Sequence, residues 1–180
     1  MSALQPPAQR IWWNQPVERA ELMWIGIALV WCLIMFFMMP FWHVFGNQNY
    51  SGEAYRTTPE QFSAKVEEMV EQYTVRHETA RNYPVVQPPA GSDIYLLARL
   101  WEWYPILELK AGETYRLNMS SMDWQHGLSI QPININSQVL PGYQKVLTIT
   151  PTEPGEYALV CNEYCGVLHH AMLGKIYVTE

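Results

Sequence analysis

A twelve-residue stretch near the C-terminus gathers sulfur and nitrogen donors at short spacing. Cys161 and Cys165 are four residues apart. His169 follows four residues after Cys165, and Met172 lies three beyond it. Thiolate, imidazole and thioether together form the soft donor set that selects copper over hard cations. Because so short a loop cannot bury all of these side chains in an apolar core, we expect them to converge on one point.

A second imidazole that could join this group lies far upstream. His126 stands in the run Asp123-Trp-Gln-His126-Gly127, thirty-five residues before Cys161. Tertiary folding must therefore bring two chain segments together to close the site. Two thiolates on a tight loop can each bridge two metal ions, and His126 and His169 can then cap one ion each. Met172 remains as a weak axial donor.

Each of these donors also has a role that needs no metal. Cys161 and Cys165 could form a disulfide, although a bridge across Cys-Asn-Glu-Tyr-Cys would be strained. A single histidine such as His126 or His169 is ordinarily a hydrogen-bonded core or surface residue, and a methionine ordinarily fills a core. The combination at this spacing favours ligation.

The spacing of these residues resembles that of a known family. The pattern C-x-E-x-C-G-x-x-H-x-x-M, with D-x-x-H-G upstream, is similar to the CuA domain of subunit II of haem-copper terminal oxidases. The turns at 141–142 and 154–157 lie between the two halves as they do in that family. Asn134-Ile-Asn136, Val139-Leu-Pro-Gly142 and Cys-Asn-x-Tyr-Cys-Gly look most like its B-type (ba-type) branch. The resemblance covers roughly residues 93–180.

The resemblance implies a binuclear copper centre, CuA, with two copper ions. Its implied ligands are side chains of five residues together with the backbone carbonyl of Glu163: His126, Cys161, Cys165, His169 and Met172. The side chain of Glu163 would point towards the catalytic subunit, and the family register prefers His169 to the adjacent His170. All evident donors are used as ligands, so no catalytic residue is predicted.

Aromatic residues near the pattern are candidates for the point where an electron enters. Trp101, Trp103 and Tyr104 fall within four positions, and Trp124 lies two before His126. In related subunits an aromatic cluster in this region lies over the copper site. Three aromatic residues in four positions could equally pack against a membrane-embedded partner, so both interpretations stay open.

An apolar run near the N-terminus indicates a membrane anchor. Residues 22–45 contain no Asp, Glu, Lys or Arg over 24 positions, and a bilayer core needs about 20 apolar residues. The run is too long for the apolar part of a signal peptide, so a retained single-pass helix is predicted. Residues 1–21, with Trp12 and Trp13, are typical of an interfacial segment. Basic residues balance on the two sides of the run, so charge alone does not orient it.

Residues 46–91 are predicted to hold an amphipathic helix and a proline-rich linker. Thr58-Pro59-Glu60-Gln61 is typical of a helix start, with Thr as N-cap and Gln completing a capping box. Five apolar residues follow at helical spacing and predict a helix to about residue 81: Phe62, Val66, Met69, Val70 and Tyr73. The helix could pack against the domain or a partner, or dock a membrane surface or a donor. The prolines from residue 84 to 89 predict a stiff spacer that ends at a domain boundary near residue 91.

Residues 92–180 change to short strands with frequent turn signals. Seven segments with this pattern predict a small β-sandwich: 94–100, 106–109, 114–118, 127–130, 144–149, 155–160 and 174–179. The family resemblance implies a cupredoxin-like Greek key. The predicted fold class is mainly β, anchored by one N-terminal transmembrane helix, with an extra amphipathic helix before the domain.

The charge balance and the resemblance together set the expected partners. A net charge of −6 leaves no basic field to attract nucleic acid. The resemblance implies a non-catalytic, electron-entry subunit of an oxidoreductase complex. Its partners would be a haem-bearing subunit I, a soluble donor such as cytochrome c or a small copper protein, and the lipid bilayer. It would reside in a bacterial or archaeal plasma membrane with the copper domain on the outer, periplasmic face.

Three other functions share parts of this pattern. The same module could serve a haem-copper nitric oxide reductase, because the residues that discriminate between the substrates belong to subunit I. A membrane-anchored copper metallochaperone also uses C-x-x-x-C with a distant histidine, but it would be thioredoxin-like and would not need Met172. A structural subunit that has lost its copper would lack ligands, and here none is missing.

Overall fold

The computed structural model describes residues 17–46, 53–78, 82–133 and 135–180. The chain divides into two units, residues 1–48 and residues 49–180. The predicted interfacial segment, with Trp12 and Trp13, lies outside the described residues except for its last positions. Asn134 of the family pattern also lies outside them.

One long helix, α1 (Arg19–Phe45), makes up the described part of the first unit. Its first turn is closed by a capping box, in which the backbone amide of Glu18 donates to the side chain of Glu21 at 3.0 Å. Within this chain its side chains are exposed, although nearly all of them are apolar. Among the described residues it is the one helix long and apolar enough to cross a membrane. The predicted N-terminal apolar helix is confirmed and begins three residues earlier than predicted.

The described part of the second unit holds twelve β-strands, a second α-helix and a 3-10 turn. The strands are β1 (Ala54–Arg56), β2 (Thr74–Glu78), β3 (Tyr83–Val86), β4 (Asp93–Arg99), β5 (Glu102–Tyr104), β6 (Ile106–Lys110), β7 (Tyr115–Ser121), β8 (His126–Gln131), β9 (Ile135–Val139), β10 (Tyr143–Ile149), β11 (Gly155–Cys161) and β12 (Leu173–Thr179). The helix is α2 (Pro59–Tyr73), and the turn spans His169–Ala171. All seven predicted strands are present, with ends shifted by at most three residues.

The strands form two sheets that pack face to face. Their orders are β1-β10-β7-β4-β5 and β2-β3-β6-β12-β11-β8-β9. Alternate side chains of each strand point to one face, and those that face inward form a common core. Leu96 and Leu117 of the first sheet and Leu128 and Leu159 of the second are all 0% exposed in this core. The predicted β-sandwich is confirmed.

Helix α2 begins as the sequence predicts and ends earlier. The side chain of Thr58 accepts a hydrogen bond from the amide of Gln61, which confirms the predicted cap. Phe62, Val66 and Met69 turn inward and are buried. The helix prediction to residue 81 is wrong for residues 74–78, which form strand β2. The reason is tertiary, because β2 pairs with β3 and so satisfies its backbone groups in a sheet.

The first part of the proline-rich segment, Tyr83–Val86, is a strand of the second sheet and not a free spacer. Strand β3 pairs with β6 in parallel, with Val85 opposite Ile106 and Val86 opposite Leu107. Both valines are 0% exposed. Strand β1 likewise pairs with β10 of the first sheet. The second unit therefore begins near residue 49, which differs from the predicted boundary near residue 91, because these early strands complete the sandwich.

Candidate metal centre

The loop between β11 and β12, counted with its two ends, carries five of the six predicted ligand residues: Cys161, Glu163, Cys165, His169 and Met172. Cys161 is the last residue of β11, and Met172 immediately precedes β12. The amide of Cys161 donates to the carbonyl of Met172 at 3.2 Å, which closes the base of the loop. Within the loop, the amide of His169 donates to the carbonyl of Gly166 at 3.1 Å and starts the 3-10 turn. Two paired strands therefore fix both ends of the loop.

The sulfur and nitrogen atoms of the site converge. The two cysteine Sγ atoms are 3.7 Å apart. His126 Nδ1 lies 3.9 Å from Cys161 Sγ, and His169 Nδ1 lies 3.7 Å from Cys165 Sγ. The Sδ atom of Met172 is 3.8 Å from Cys165 Sγ. The structure brings all five predicted side chains to one point.

The two cysteines are free thiols in this structure. Their separation of 3.7 Å is far longer than a disulfide bond of about 2.05 Å. The backbone carbonyl of Glu163 lies 3.3 Å from Cys161 Sγ, so it faces the sulfur atoms. This is the group that the family resemblance implies as a ligand.

His126 is fully buried and is held by a carboxylate. Its Nε2 lies 2.8 Å from Oδ1 of Asp123. Burial by itself raises the pKa of Asp123, but the hydrogen bonds it accepts from His126 and from two backbone amides outweigh burial, and the pKa is lowered. An ionised carboxylate only accepts hydrogen bonds, so Nε2 of His126 carries the proton. The other ring nitrogen, Nδ1, faces Cys161, which is the side on which a metal would bind.

Asp123 also ties a second segment to the site. Its Oδ2 accepts a hydrogen bond from the amide of Leu100 at 2.7 Å. The next residue, Trp101, donates from Nε1 to the carbonyl of Cys165 at 3.2 Å. The turn before β5 is therefore bonded to both ligand-bearing segments. The sequence pattern includes Asp123, but its role depends on contacts that spacing alone does not reveal.

Gly127 allows the loop to approach β8 closely. A Cβ atom at this position would lie 2.9 Å from the backbone nitrogen of Glu163 and would also overlap the side chain of Asn162. The amide of Asn162 donates to the carbonyl of Gly127 at 3.0 Å. The side chain of Asn162 donates to Asn136 on β9 at 2.8 Å. These contacts place the carbonyl of Glu163 against the thiols, and the D-x-x-H-G pattern is the sequence signal for them.

The chemistry of this donor set fits copper. The group holds two thiols, two imidazole Nδ1 atoms, a thioether and a carbonyl, and the donor atoms of His126, Cys161 and Cys165 lie within 4.8 Å of one another. Soft sulfur with imidazole suits copper better than it suits magnesium or calcium. Burial, together with the adjacent Cys161 thiol, raises the pKa of Cys165 to about 12. The metal-free thiol therefore keeps its proton at neutral pH, and metal binding must release it.

The four predicted electron-entry residues lie in different surroundings. Trp101 is half-buried over the loop, whereas Trp103 is 2% exposed and its ring lies edge-on to His126, with centroids 6.3 Å apart. Tyr104 donates to Glu67 of α2 at 3.4 Å. Trp124 is 59% exposed. Trp101 and Trp124 are therefore exposed enough to contact a donor directly, whereas Trp103 is not.

Sequence reasoning missed the exposed side chains of the loop itself. Tyr164 is 77% exposed, and its ring lies edge-on to His169 with centroids 5.8 Å apart. Val167 and Leu168 are also exposed, at 80% and 44%. His170 is exposed. The alternation of ligands with large apolar residues between positions 161 and 169 is the signal that could have found this surface.

Comparisons with known proteins agree with this geometry. No family model matches the chain. A cytochrome c oxidase subunit 2 of Thermus thermophilus is 37% identical over 118 residues, which cover 63% of this chain and 87% of the relative. A cryo-EM structure of a heme-copper terminal oxidase dimer contains a chain with a TM-score of 0.56 and 28% identity, covering 89% of this chain and 100% of that one.

A likeness in fold alone extends to rusticyanin. A rusticyanin variant has a TM-score of 0.50 and 19% identity, covering 72% of this chain and 100% of that one. The cupredoxin-like fold class is thereby confirmed. Together with the relative from Thermus, most of whose length this chain covers at 37% identity, these findings show that the chain belongs to the cytochrome c oxidase subunit 2 family.

Proposed function

We propose that this chain is the electron-entry subunit of a haem-copper terminal oxidase and holds a binuclear CuA centre. It accepts single electrons from a soluble donor, such as cytochrome c or a small copper protein, and passes them to haem in subunit I, where oxygen is reduced. The observation that carries this proposal is the convergence of two thiols 3.7 Å apart with an imidazole Nδ1 beside each.

The proposed ligands are the residues implied by the family pattern. Cys161, Cys165, His126 and His169 would hold the two copper ions. Met172 and the carbonyl of Glu163 complete the set, consistent with their distances of 3.8 and 3.3 Å from a cysteine sulfur. Bound copper supplies one-electron redox chemistry at this place.

The protein's contribution is a rigid, dry frame around the donors. His126, Cys165 and Met172 are 0% exposed, and Cys161 is 4% exposed. The hydrogen bonds of Asp123 and the strand pairing at the base of the loop hold the donors in place. Donors held in this way move little when the charge of the centre changes, and small reorganisation favours fast electron transfer.

The fold argues against the rival copper-trafficking function. A metallochaperone with C-x-x-x-C and a distant histidine was expected to be thioredoxin-like, with helices on a central sheet. The described part of the second unit is a two-sheet sandwich with one α-helix. Met172 also lies at the thiols, where a chaperone has no need for it.

Metal content and spectroscopy test the proposal directly. The full chain, purified and loaded with copper, should bind two copper ions and show one unpaired electron shared between two copper nuclei in its electron paramagnetic resonance spectrum. One copper ion per chain with a blue, single-copper spectrum would refute the binuclear assignment.

Membrane orientation is the second part of the proposal. We infer that α1 spans the plasma membrane once and that residues 49–180 lie on the outer face, because a soluble donor must reach the centre there. Protease added to intact spheroplasts should remove this domain. A domain protected until the membrane is permeabilised would reverse the proposed topology.

A further inference from the structure

A cavity of about 230 Å³ lies between the two sheets at the end of the sandwich away from the thiols. Its place follows from the strands that line it. Strand β8 begins with His126 at the donor site, and Ile130, near its other end, lines the cavity. Ile149 of β10 and Val178 of β12 line it near the far ends of their strands. We call this feature the far-end cavity.

The lining of the far-end cavity is aliphatic and uncharged. Its walls are formed mainly by branched side chains from both sheets, including Leu109, Ile130, Ile135, Ile149, Ile176 and Val178. No charged residue lines it. A charged guest would lose its hydration without a charged partner in such surroundings.

Two of the three hydroxyl groups in the lining are bonded to partners outside it. Thr150 Oγ1 lies 2.8 Å from Thr114 Oγ1, and the hydroxyl of Tyr157 donates to the carbonyl of Glu153 at 2.8 Å. Thr152 carries the remaining hydroxyl group. An internal water molecule needs two to four polar partners, so the side chains of the lining offer it few.

The far-end cavity opens to the surface on one side. In its lining Ile133 is 38% exposed, and Ile149 and Val178 retain 7% and 5% exposure. A guest therefore has a route to enter. Its volume exceeds the roughly 150 Å³ that suffices to bind benzene or xenon in an apolar protein cavity. Side-chain atoms that face an empty cavity lack partner atoms on that side and so lose dispersion attraction. A guest molecule that fills the cavity restores these contacts.

We propose that the far-end cavity is a binding site for one small, uncharged apolar molecule of the hydrocarbon class, of about the size of benzene. The proposal rests on the volume, the aliphatic lining and the open route. It does not depend on the copper centre, because none of the proposed copper ligands lines the cavity.

Xenon is a direct probe of this site. The full chain in lipid nanodiscs, with its isoleucine δ1 methyl groups labelled with carbon-13, is titrated with xenon gas and followed by NMR. The methyl signals of Ile130, Ile149 and Ile176 should shift and saturate, whereas that of Ile94, which is 0% exposed and does not line the cavity, should not. Shifts that grow linearly without saturation, or an equal shift at Ile94, would overturn the proposal.

A cavity-filling variant and a competitor complete the test. Val178→Phe places a ring in the cavity and should weaken xenon binding at least tenfold, while the control Ile94→Val leaves binding unchanged. Benzene should displace xenon from the wild-type chain, and this arm decides the question even if Val178→Phe does not fold. Xenon shifts that persist unchanged in folded Val178→Phe, or in the presence of excess benzene, contradict the assignment.

Discussion

His126 and His169 each present Nδ1 to a cysteine sulfur, yet one ring is held from inside the sandwich and the other from its surface. His126 is 0% exposed, and its second nitrogen bonds to Asp123 at 2.8 Å. His169 is half-buried on a 3-10 turn, and its visible neighbour is the exposed ring of Tyr164. We call these the inner half and the outer half of the site.

The difference separates two tasks that the site must perform. The inner half is fixed by hydrogen bonds among protein groups, and none of these bonds involves a metal ion. The outer half is bordered by exposed apolar side chains, which suit contact with a partner. We therefore expect changes in the inner half to reduce metal binding and changes in the outer half to alter exchange with partners.

The largest effect should come from the thiols that join both halves. Cys161→Ser or Cys165→Ser removes one of the two sulfur atoms proposed to bridge the copper ions, and we expect the variant to lose the binuclear copper spectrum completely. Metal analysis and electron paramagnetic resonance measure the loss. The matched control is Cys32→Ser, at the exposed cysteine of α1, which should keep both copper ions. Retention of the binuclear spectrum in either site variant would mean that the thiols do not bridge.

Gly127→Ala should produce the next largest effect, because the added methyl group disrupts the close contact between the inner half and the loop. The new Cβ would lie 2.9 Å from the backbone nitrogen of Glu163, and overpacking of this kind costs about 1–3 kcal/mol. We expect lower copper content and a lower unfolding temperature, measured by metal analysis and calorimetry. Gly26→Ala is the control, since a Cβ there meets nothing within 4 Å. A Gly127→Ala chain with full copper content would show that the loop can move away freely.

Asp123→Asn tests the carboxylate that orients His126. An amide can no longer accept from Nε2 with the strength of a charge, and loss of such a partner typically costs about 10–100-fold in metal affinity. Competition with a copper chelator measures the change. Glu113→Gln, at an exposed carboxylate in the turn before β7, is the control and should not change affinity. An unchanged affinity in Asp123→Asn would place the whole orienting effect in the packing of the ring.

Substitutions of the two tryptophans that flank Glu102 should affect different quantities, namely the rate of reduction by the donor and the stability of the fold. Trp101→Leu removes the half-buried ring over the loop, and we expect reduction by the soluble donor to slow several-fold while the copper spectrum persists. Trp103→Leu removes a ring that is 2% exposed and packs on Gly174, so its main effect should be lower stability. Stopped-flow reduction and thermal unfolding measure the two quantities. Equal donor rates in Trp101→Leu and wild type would remove Trp101 from the entry surface.

The smallest effect is expected at Met172, which we propose as a weak axial donor. Met172→Leu conserves volume and apolar character, so copper content should be unchanged. Loss of the thioether should shift the reduction potential, because an axial ligand tunes the metal and does not hold it. Redox titration measures the shift. Copper loss as complete as in Cys161→Ser would mean that Met172 is a strong ligand.

Most of the donor loop could be predicted because its geometry is local. Cys161, Cys165, His169 and Met172 fall within twelve positions, so a single turn brings them together. The cap at Thr58 and the apolar run of α1 also depend on neighbours close in sequence, and both predictions hold. The pairing of His126 with the loop came from the family pattern, since a separation of thirty-five residues leaves many partners open.

Only the tertiary structure decided which surfaces meet. Residues 74–78 directly follow the helical pattern of α2 in the sequence, but pairing with β3 makes them a strand. Trp101 and Trp103 look equivalent in the sequence, yet one lies over Cys165 and the other is buried beside His126. The roles of Asp123 and Gly127 depend on contacts between segments far apart in the sequence. The far-end cavity likewise exists only because distant strands pack together. Local spacing sets what a segment can do, whereas strand register, which depends on the whole sandwich, decides what it touches.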